Sequence, residues 1–237
     1  MKLGIMQPYF LPYIGYFSMI KHTDKFILFD IVQFIRHGWI ERNRILKPNE
    51  GWQYIQIPLE KHSQTTLIKD IKINNTADWK SKILNQLQHY KKKAPYYQDT
   101  VSILSLIFSK DYKDIVSFNC ESLKVICQYL GIDTNISIYS EMNIQLQDEV
   151  KAADEWALYI CKAMEGVTEY WNPIGGTSFF DREKYAKQDI ALKFIDMDIK
   201  EYSQRRPAFE PGLSIIDIMM FNSKEEIAQM LDSYKLI

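Results

Sequence analysis

The sequence is poor in cysteine, in long hydrophobic runs and in net charge, and each absence excludes a class of protein. Its three cysteines, Cys120, Cys127 and Cys161, form no CxxC pair and have no histidine cluster nearby. We therefore expect buried thiols in a reducing compartment. No stretch approaches the roughly 20 apolar residues that a membrane span requires. A formal net charge of −1 provides no basic field that would hold nucleic acid non-specifically.

Sequence fingerprints for cofactors and metals are also missing. There is no Walker motif and no dinucleotide fingerprint, so we expect no cofactor. Asp196 and Asp198 end a predicted strand, but such a pair is common in solvated turns, and we assign no metal. The apolar run before Gln7 is too short for a signal peptide, so a cytoplasmic location is expected.

The composition that remains is that of a globular protein. The chain has 237 residues, of which 46% are hydrophobic and 25% charged, enough for one substantial core. We predict one α/β domain over residues 1–237, with a helical subdomain or insertion at about 77–131. The aromatic content of 14% suits contacts with sugars or nucleobases, but it suits ordinary packing equally well.

The first thirty residues predict a βαβ unit. Lys2–Met6 forms a short apolar run, and residues 25–29 form a second one. Between them, prolines favour an ordered loop over residues 8–14, and a short helix follows from Gly15. Two short strands on either side of such a helix predict a parallel, right-handed crossover. We therefore expect a mainly parallel, Rossmann-like sheet that this unit opens.

The ends of these two strands are candidate site positions. Ligands of open α/β sheets bind outside the carboxyl ends of the strands, where Gln7 and Asp30 are expected. The helix that follows the loop offers free amides to an anion. Packing of a proline-aromatic loop over the sheet edge would explain the same residues, above all Tyr9, Phe10 and Tyr13 taken singly.

The segment that follows carries polar residues on both faces. In residues 39–46, Trp39, Glu41 and Asn43 alternate with Ile40, Arg42 and Arg44. Such a segment is costly to bury and fits the lining of a wet site. Arg42 is the best candidate for a phosphate or carboxylate, since a guanidinium pairs such groups bidentately. A solvated surface arginine is the alternative.

The middle of the chain predicts structure more than chemistry. Residues 52–59 and 66–73 alternate in polarity and predict an antiparallel strand pair. Helical periodicity then begins at Asp78 and continues through two more amphipathic helices, the last ending at Gly131.

The last third contains a second irregular loop. Asn172 precedes Pro173, and Gly175-Gly176 follow, which predicts a tight backbone whose amides can approach an anionic ligand. A plain turn between a strand and a helix is the alternative. Asp217 stands on a largely apolar helix, where a carboxylate is costly to bury alone.

Several of these residues together carry a family resemblance. They are residues 7–17, Asp24, Asp30, Gln33-Phe34, Trp39, Arg42-Asn43, residues 172–176 and residues 214–217. In this respect the chain resembles the WbqC-like protein family over nearly its whole length. The resemblance implies a role in surface-polysaccharide, O-antigen or lipopolysaccharide biosynthesis, and transfer of a glycyl or other acyl group onto an amino sugar.

Three function hypotheses follow. In the first, a transferase acts on a nucleotide-linked amino sugar and an activated acyl or aminoacyl donor, which could be a transfer RNA. Asp30 or Asp217 is then the candidate base, and the substrate-binding candidates are Gln7, Tyr9, Gln33, Trp39, Arg42, Asn43, Asn172, Gly175 and Gly176. The second hypothesis is a nucleotidyl-transfer or ligase enzyme, although residues 8–17 lack the histidines of a His-x-Gly-His signature. The third is a non-catalytic sugar-nucleotide binding protein.

Overall fold

The computed structural model describes residues 1–237 and contains eight strands and eight α-helices. The strands are β1 (Lys2–Met6), β2 (Lys25–Leu28), β3 (Arg42–Leu46), β4 (Trp52–Gln56), β5 (Asn135–Ile138), β6 (Glu169–Pro173), β7 (Ala191–Met197) and β8 (Tyr234–Leu236). The helices are α1 (Ile14–His22), α2 (Trp79–Gln86), α3 (Tyr97–Phe108), α4 (Ile115–Leu130), α5 (Glu155–Ala163), α6 (Arg182–Ala186), α7 (Ile215–Phe221) and α8 (Lys224–Leu231).

Six strands form one sheet in the order β5-β2-β1-β6-β7-β8, parallel except for β8. The predicted βαβ unit is confirmed, because β1 pairs in parallel with β2 through Leu3 opposite Lys25. The chain first extends the sheet on one side of β1 and later returns to pair β6 on the other side. This change of direction makes the β1–β6 crevice the topological switch point, where open α/β sheets bind their ligands.

Helices cover both faces of the sheet, and the alternation of side chains along each strand assigns every residue to one face. Leu3, Ile5 and Tyr170 belong to a smaller core that α5 and the region of α6 cover. Trp171 and Phe26 belong to a larger core that α1, α4, α7 and α8 cover. The α/β fold class predicted from the sequence is therefore confirmed.

The small antiparallel pair is present, but its members differ from the prediction. Strand β4 pairs with β3, with Arg42 opposite Gln56, and the predicted pairing of residues 52–59 with 66–73 is reduced to one antiparallel bridge between Leu59 and Ile73. A turn containing Gly51, whose φ is +70°, connects β3 to β4. Residues Ile68–Asp70 form a 3-10 turn instead, because the amides of Ile68 and Lys69 donate to the carbonyls of Val32 and Asp30.

The first of the three helices between residues 79 and 130 begins after Asp78 and the last ends before Gly131, as predicted. Asp78 and Asp114 accept hydrogen bonds from the amides of Ser81 and Ser117, and thereby cap α2 and α4. Gly131 closes α4 with a φ of +70°, as a left-handed helix cap requires. Apolar side chains of all three helices belong to the larger core. A separate subdomain at about 77–131 stays a prediction.

The three cysteines are buried and unpaired, as the sequence predicted. Burial raises the pKa of Cys127 and of Cys161 to about 12, so neither thiol is an activated nucleophile. None of the helices is long and apolar enough to cross a membrane.

Candidate functional site

A large cavity opens at the switch point. It has a volume of about 840 Å³ and lies between the carboxyl ends of β1, β2 and β6 and the first turns of α5. Cavities that hold small molecules typically measure about 300–1,000 Å³. Position and size therefore make this switch-point cavity the first candidate for a ligand site.

Amide groups supply the polar surface of the switch-point cavity. Its lining includes the side chains of Gln7, Gln33 and Asn172 and the residues Gly175 and Gly176. The side chain of Gln33 donates to the carbonyl of Gln64. With Tyr9, which also lines the cavity, the structure therefore brings together six of the predicted substrate-binding residues from three separate parts of the chain.

The side chain of Asn172 is fixed from two directions. Its Nδ2 donates to the hydroxyl of Tyr170 at 2.7 Å. A Cβ atom on Gly176 would lie only 2.2 Å from Asn172 Oδ1, so only glycine fits at that position without displacing the amide. Gly176, which the sequence predicted as a ligand contact, therefore leaves the space that the side chain of Asn172 occupies.

Most of the remaining wall is apolar or aromatic, with Phe29, Trp156 and Phe180 among its members. No carboxylate, imidazole, thiol or ammonium group lines the switch-point cavity. Its only titratable side chains are Tyr9 and Tyr170, and burial raises the pKa of both phenols. Both are therefore neutral at physiological pH, and the cavity offers neutral hydrogen-bonding groups to its ligand.

Asp30 is buried and does not line the switch-point cavity. It lies beyond the end of β2, on the same edge of the sheet as Gln7. Its carboxylate accepts hydrogen bonds from the backbone amide and the hydroxyl of Ser140. The two residues therefore share an edge but not a cavity, and a role for Asp30 as a base stays a prediction.

Asp217 is fully buried in a separate network, away from the switch-point cavity. It accepts hydrogen bonds from Tyr90 at 2.7 Å, Tyr202 at 2.6 Å and Gln204 at 3.0 Å. Burial raises the pKa of Asp217 to about 6, although these hydrogen bonds and the charge of Arg206 oppose the shift. Asp217 therefore does not line the switch-point cavity, and its role as a second base stays a prediction.

A second cavity, of about 370 Å³, lies around Arg44. Met6 and Tyr9 contribute to both cavities, whereas the neighbours Asn172 and Pro173 each line a different one. Since successive strand residues point to opposite faces, the two cavities flank the sheet edge. We call this second space the Arg44 cavity.

The predicted residues Trp39 and Asn43 line the Arg44 cavity. The Nδ2 of Asn43 donates to the carbonyls of Phe10 and Leu11, each at 3.0 Å. Its Oδ1 accepts from the amide of Arg44 at 2.8 Å. The side chain of Asn43 therefore holds the proline-containing loop in place, and little of its hydrogen-bonding capacity is left for a ligand.

Arg42, the predicted anion-binding residue, lines neither cavity. Its guanidinium packs on the ring of Tyr54 at 4.0 Å and donates to the carbonyl of His37. Sequence reasoning missed Arg44, which is the arginine that reaches a cavity. The only available signal was its position two residues farther along the same strand, beside Asn43.

The amino end of α1 lies in the protein interior. Ile14, Gly15 and Tyr16 are buried. A Cβ atom added to Gly15 would lie only 2.5 Å from the ring of Tyr13. These buried residues cover the amino end of the helix, and an anion site there stays a prediction. Tyr13 instead forms part of the wall of the Arg44 cavity.

Comparison with known proteins agrees with the resemblance in the sequence. An uncharacterized protein of Mycobacterium tuberculosis, Rv1507c, is 28% identical over 233 residues, which cover 97% of each chain. No solved structure matches the chain significantly. The model of the WbqC-like protein family matches residues 7–229. This match includes both irregular loops that line the switch-point cavity, and the chain therefore belongs to the WbqC-like protein family.

Proposed function

We propose that this protein is a transferase of surface-polysaccharide biosynthesis that attaches a glycyl or other acyl group to the amine of a nucleotide-linked amino sugar. The observation that carries the proposal is the switch-point cavity, with its amide groups and apolar walls. A sugar has the same mixture, because its hydroxyls are hydrogen-bonding groups and its C–H faces pack on aromatic rings.

Three amide side chains supply hydrogen-bond donors and acceptors in the lining of this cavity. Gln7 follows β1 and Asn172 belongs to β6, on the two sides of the switch point, and Gln33 also lines the cavity. Side-chain amides both donate and accept, so they can bind a hydroxyl or a neutral amine. Rings such as Trp156 and Phe180 would cover the apolar parts of the sugar and the acyl group.

In the transfer step, the amine nitrogen attacks the carbonyl carbon of a thioester or ester donor. A C–N bond forms, the bond to the leaving thiolate or alkoxide breaks, and the proton lost by the amine balances the proton gained by the leaving group. Main-chain amides near Gly176 are the candidate donors for the oxyanion. No carboxylate reaches this space, so the rate enhancement rests on positioning two reactants in one cavity.

One observation favours a second candidate function, a non-catalytic sugar-nucleotide binding protein. The switch-point cavity contains no titratable side chain other than two neutral phenols. General acid–base catalysis typically contributes about 10²–10⁴-fold in rate, and this cavity has no evident group to provide it. The nucleotidyl-transfer hypothesis has less support, because no histidine or lysine lines the cavity.

Mass spectrometry distinguishes these functions. The protein is incubated with UDP-glucosamine or a thymidine-diphosphate-linked 4-amino sugar, together with glycyl and acetyl thioesters, and UDP-glucose serves as the control that lacks an amine. We expect a product heavier by one acyl group with an amino sugar alone. Binding of the amino sugars without any product favours the second candidate, and the absence of both binding and product refutes the two functions.

A further inference from the structure

We propose that the Arg44 cavity is a second ligand subsite, which binds a nucleoside phosphate with its phosphate on Arg44 and its base against Trp39. Neither the family match nor the relative assigns this space a role, and it lies on the other side of the sheet edge from the switch-point cavity. Three properties of the cavity carry the proposal: an unpaired cation, a lining without acidic groups and an exposed indole ring.

Arg44 is a fixed cation without a counterion. Its guanidinium lies 5.4 Å from the ring of Trp39 and 5.2 Å from the ring of Trp52, and Nη2 donates to the carbonyl of Gly212 at 3.0 Å. Its Nε is buried and has no partner. All ion pairs in the protein use lysine or histidine, so Arg44 keeps its full charge for a ligand.

An anion would satisfy this arrangement. A half-buried charge without a partner is costly, and a phosphate would offset the cost through charge-assisted hydrogen bonds to the guanidinium fork. No aspartate or glutamate lines the cavity to compete for Arg44 or to repel the ligand. Burial raises the pKa of Tyr13, which lines the cavity, and the charge of Asp196 contributes less to the same shift.

The rest of the lining suits a flat ring. The side chain of Trp39 is 39% exposed, and Tyr13 and the two prolines Pro12 and Pro173 complete an apolar surface around it. Aromatic side chains bind nucleobases by stacking, at roughly 1–3 kcal/mol per base. A nucleoside phosphate combines a flat ring with an anion at a separation of one sugar, and the volume of about 370 Å³ is suitable for such a ligand.

The two cavities share the side chains of Met6 and Tyr9. A nucleotide-linked sugar could therefore place its nucleotide beside Arg44 and extend its sugar past Tyr9 into the switch-point cavity. This connection between the subsites rests on the proposed function. Binding of a nucleoside phosphate to the Arg44 cavity does not, and it is tested without any transfer reaction.

The experiment is titration calorimetry with UDP, dTDP, uridine and inorganic phosphate on the wild-type protein and on Arg44→Gln. We expect UDP or dTDP to bind, uridine to bind at least ~10-fold more weakly, and Arg44→Gln to lose at least ~10-fold in affinity. Arg182→Gln is the matched control, because Arg182 also packs on a ring, that of Phe194, and donates to a backbone carbonyl. It lines neither cavity, and its variant should bind the nucleotides as the wild type does.

Several results would overturn the assignment. Nucleotide affinity that is unchanged in Arg44→Gln, or reduced equally in Arg182→Gln, would place the phosphate elsewhere. Inorganic phosphate binding as tightly as UDP would show an anion site without a base. Thermal unfolding of each variant identifies any loss of fold, and Arg44→Lys, which keeps the charge without the fork, should bind with intermediate affinity. Nucleotide binding without acyl transfer would refute the proposed function and leave this subsite intact.

Discussion

The Asp30 carboxylate accepts two hydrogen bonds from one residue, Ser140, whose amide nitrogen lies 3.0 Å from Oδ1 and whose hydroxyl bonds Oδ2. Asp30 follows β2, and Ser140 follows β5, its neighbour in the sheet. The pair therefore ties together the carboxyl ends of two adjacent strands. Hydrogen bonds to a charged group are worth about 1.5–3 kcal/mol each, which makes this a structural contact of some weight.

The first prediction concerns this pair. We expect Ser140→Ala to lower the free energy of unfolding by about 2 kcal/mol, because it removes the charge-assisted hydrogen bond of the hydroxyl, and Asp30→Ala to lower it further, because it removes the bonds from both the hydroxyl and the amide. In the double variant the losses should fall short of their sum by ~0.5–3 kcal/mol, as for residues in direct contact. Urea unfolding measures all three. One result would contradict this structural role: Asp30→Asn abolishes activity without lowering the free energy of unfolding, and Ser140→Ala is as active and as stable as the wild type. Asp30 would then act as a base.

The second prediction concerns Asn43, whose amide holds the proline-containing loop through the carbonyls of Phe10 and Leu11. We expect Asn43→Ala to cost about 2–3 kcal/mol of stability, since it leaves the carbonyls of Phe10 and Leu11 without this donor. Asn43→Asp should cost more, because a carboxylate would face two carbonyl oxygens. The exposed Asn49 provides a control, and Asn49→Ala should change the unfolding midpoint little. Equal stability of Asn43→Asp and wild type would show that the side chain is free.

The third prediction concerns the pH dependence of stability. Burial raises the pKa of Asp217 to about 6, above the value of about 3.9 for an aspartate in an unfolded chain. The folded protein thus binds this proton more tightly, and the free energy of unfolding falls as pH rises from about 4 to about 6. Above that range the loss is complete, on the order of 2–3 kcal/mol.

Comparison with Asp217→Asn isolates this effect, because the amide does not titrate. We expect the stability of the wild type relative to the variant to decline between pH 4 and pH 6 and then to remain constant. Other carboxylates whose pKa is lowered, such as Asp232, affect both proteins equally and cancel. A difference in stability that is independent of pH would show that Asp217 has an ordinary pKa.

The sequence contains enough information for the sheet but not for the direction of side chains beyond its strands. Lys2–Met6 and residues 25–29 are short apolar runs, and both form strands in the structure. Such runs are typical of parallel strands, which are buried on both faces. Residues 66–73 alternate as a strand does, yet the amides of Ile68 and Lys69 donate to carbonyls in the loop after β2. Pairing of that kind depends on distant parts of the chain, which a local pattern does not contain.

The site shows the same limit. The sequence made Gln7, Asn172 and Gly176 candidates for substrate binding, and the structure brings all three into one cavity. The sequence could not show that Asp30 turns towards Ser140. Ser140 follows β5, which pairs with β2 in the sheet but lies more than a hundred residues later in the chain. The sequence also favoured Arg42 over Arg44, whereas pairing of β3 with β4 stacks Arg42 on Tyr54 and leaves Arg44 at the cavity.

The switch-point cavity is tested most directly at Gly176, where an added Cβ would lie 2.2 Å from Asn172 Oδ1. We expect Gly176→Ala to displace the Asn172 amide and to raise the Kd for the amino sugar nucleotide, and Asn172→Ala should have a similar, non-additive effect. Ser178→Thr adds a methyl group to an exposed residue of the same loop and serves as the control.

The decisive measurement is the Kd of UDP-glucosamine, or of the thymidine-linked amino sugar, determined by titration calorimetry for Gly176→Ala and Ser178→Thr, with thermal unfolding to confirm that both are folded. We expect Gly176→Ala to bind at least ~10-fold more weakly than the wild type and Ser178→Thr to bind within ~2-fold of it. A folded Gly176→Ala variant that binds the amino sugar nucleotide as tightly as the wild type would contradict a sugar site in the switch-point cavity.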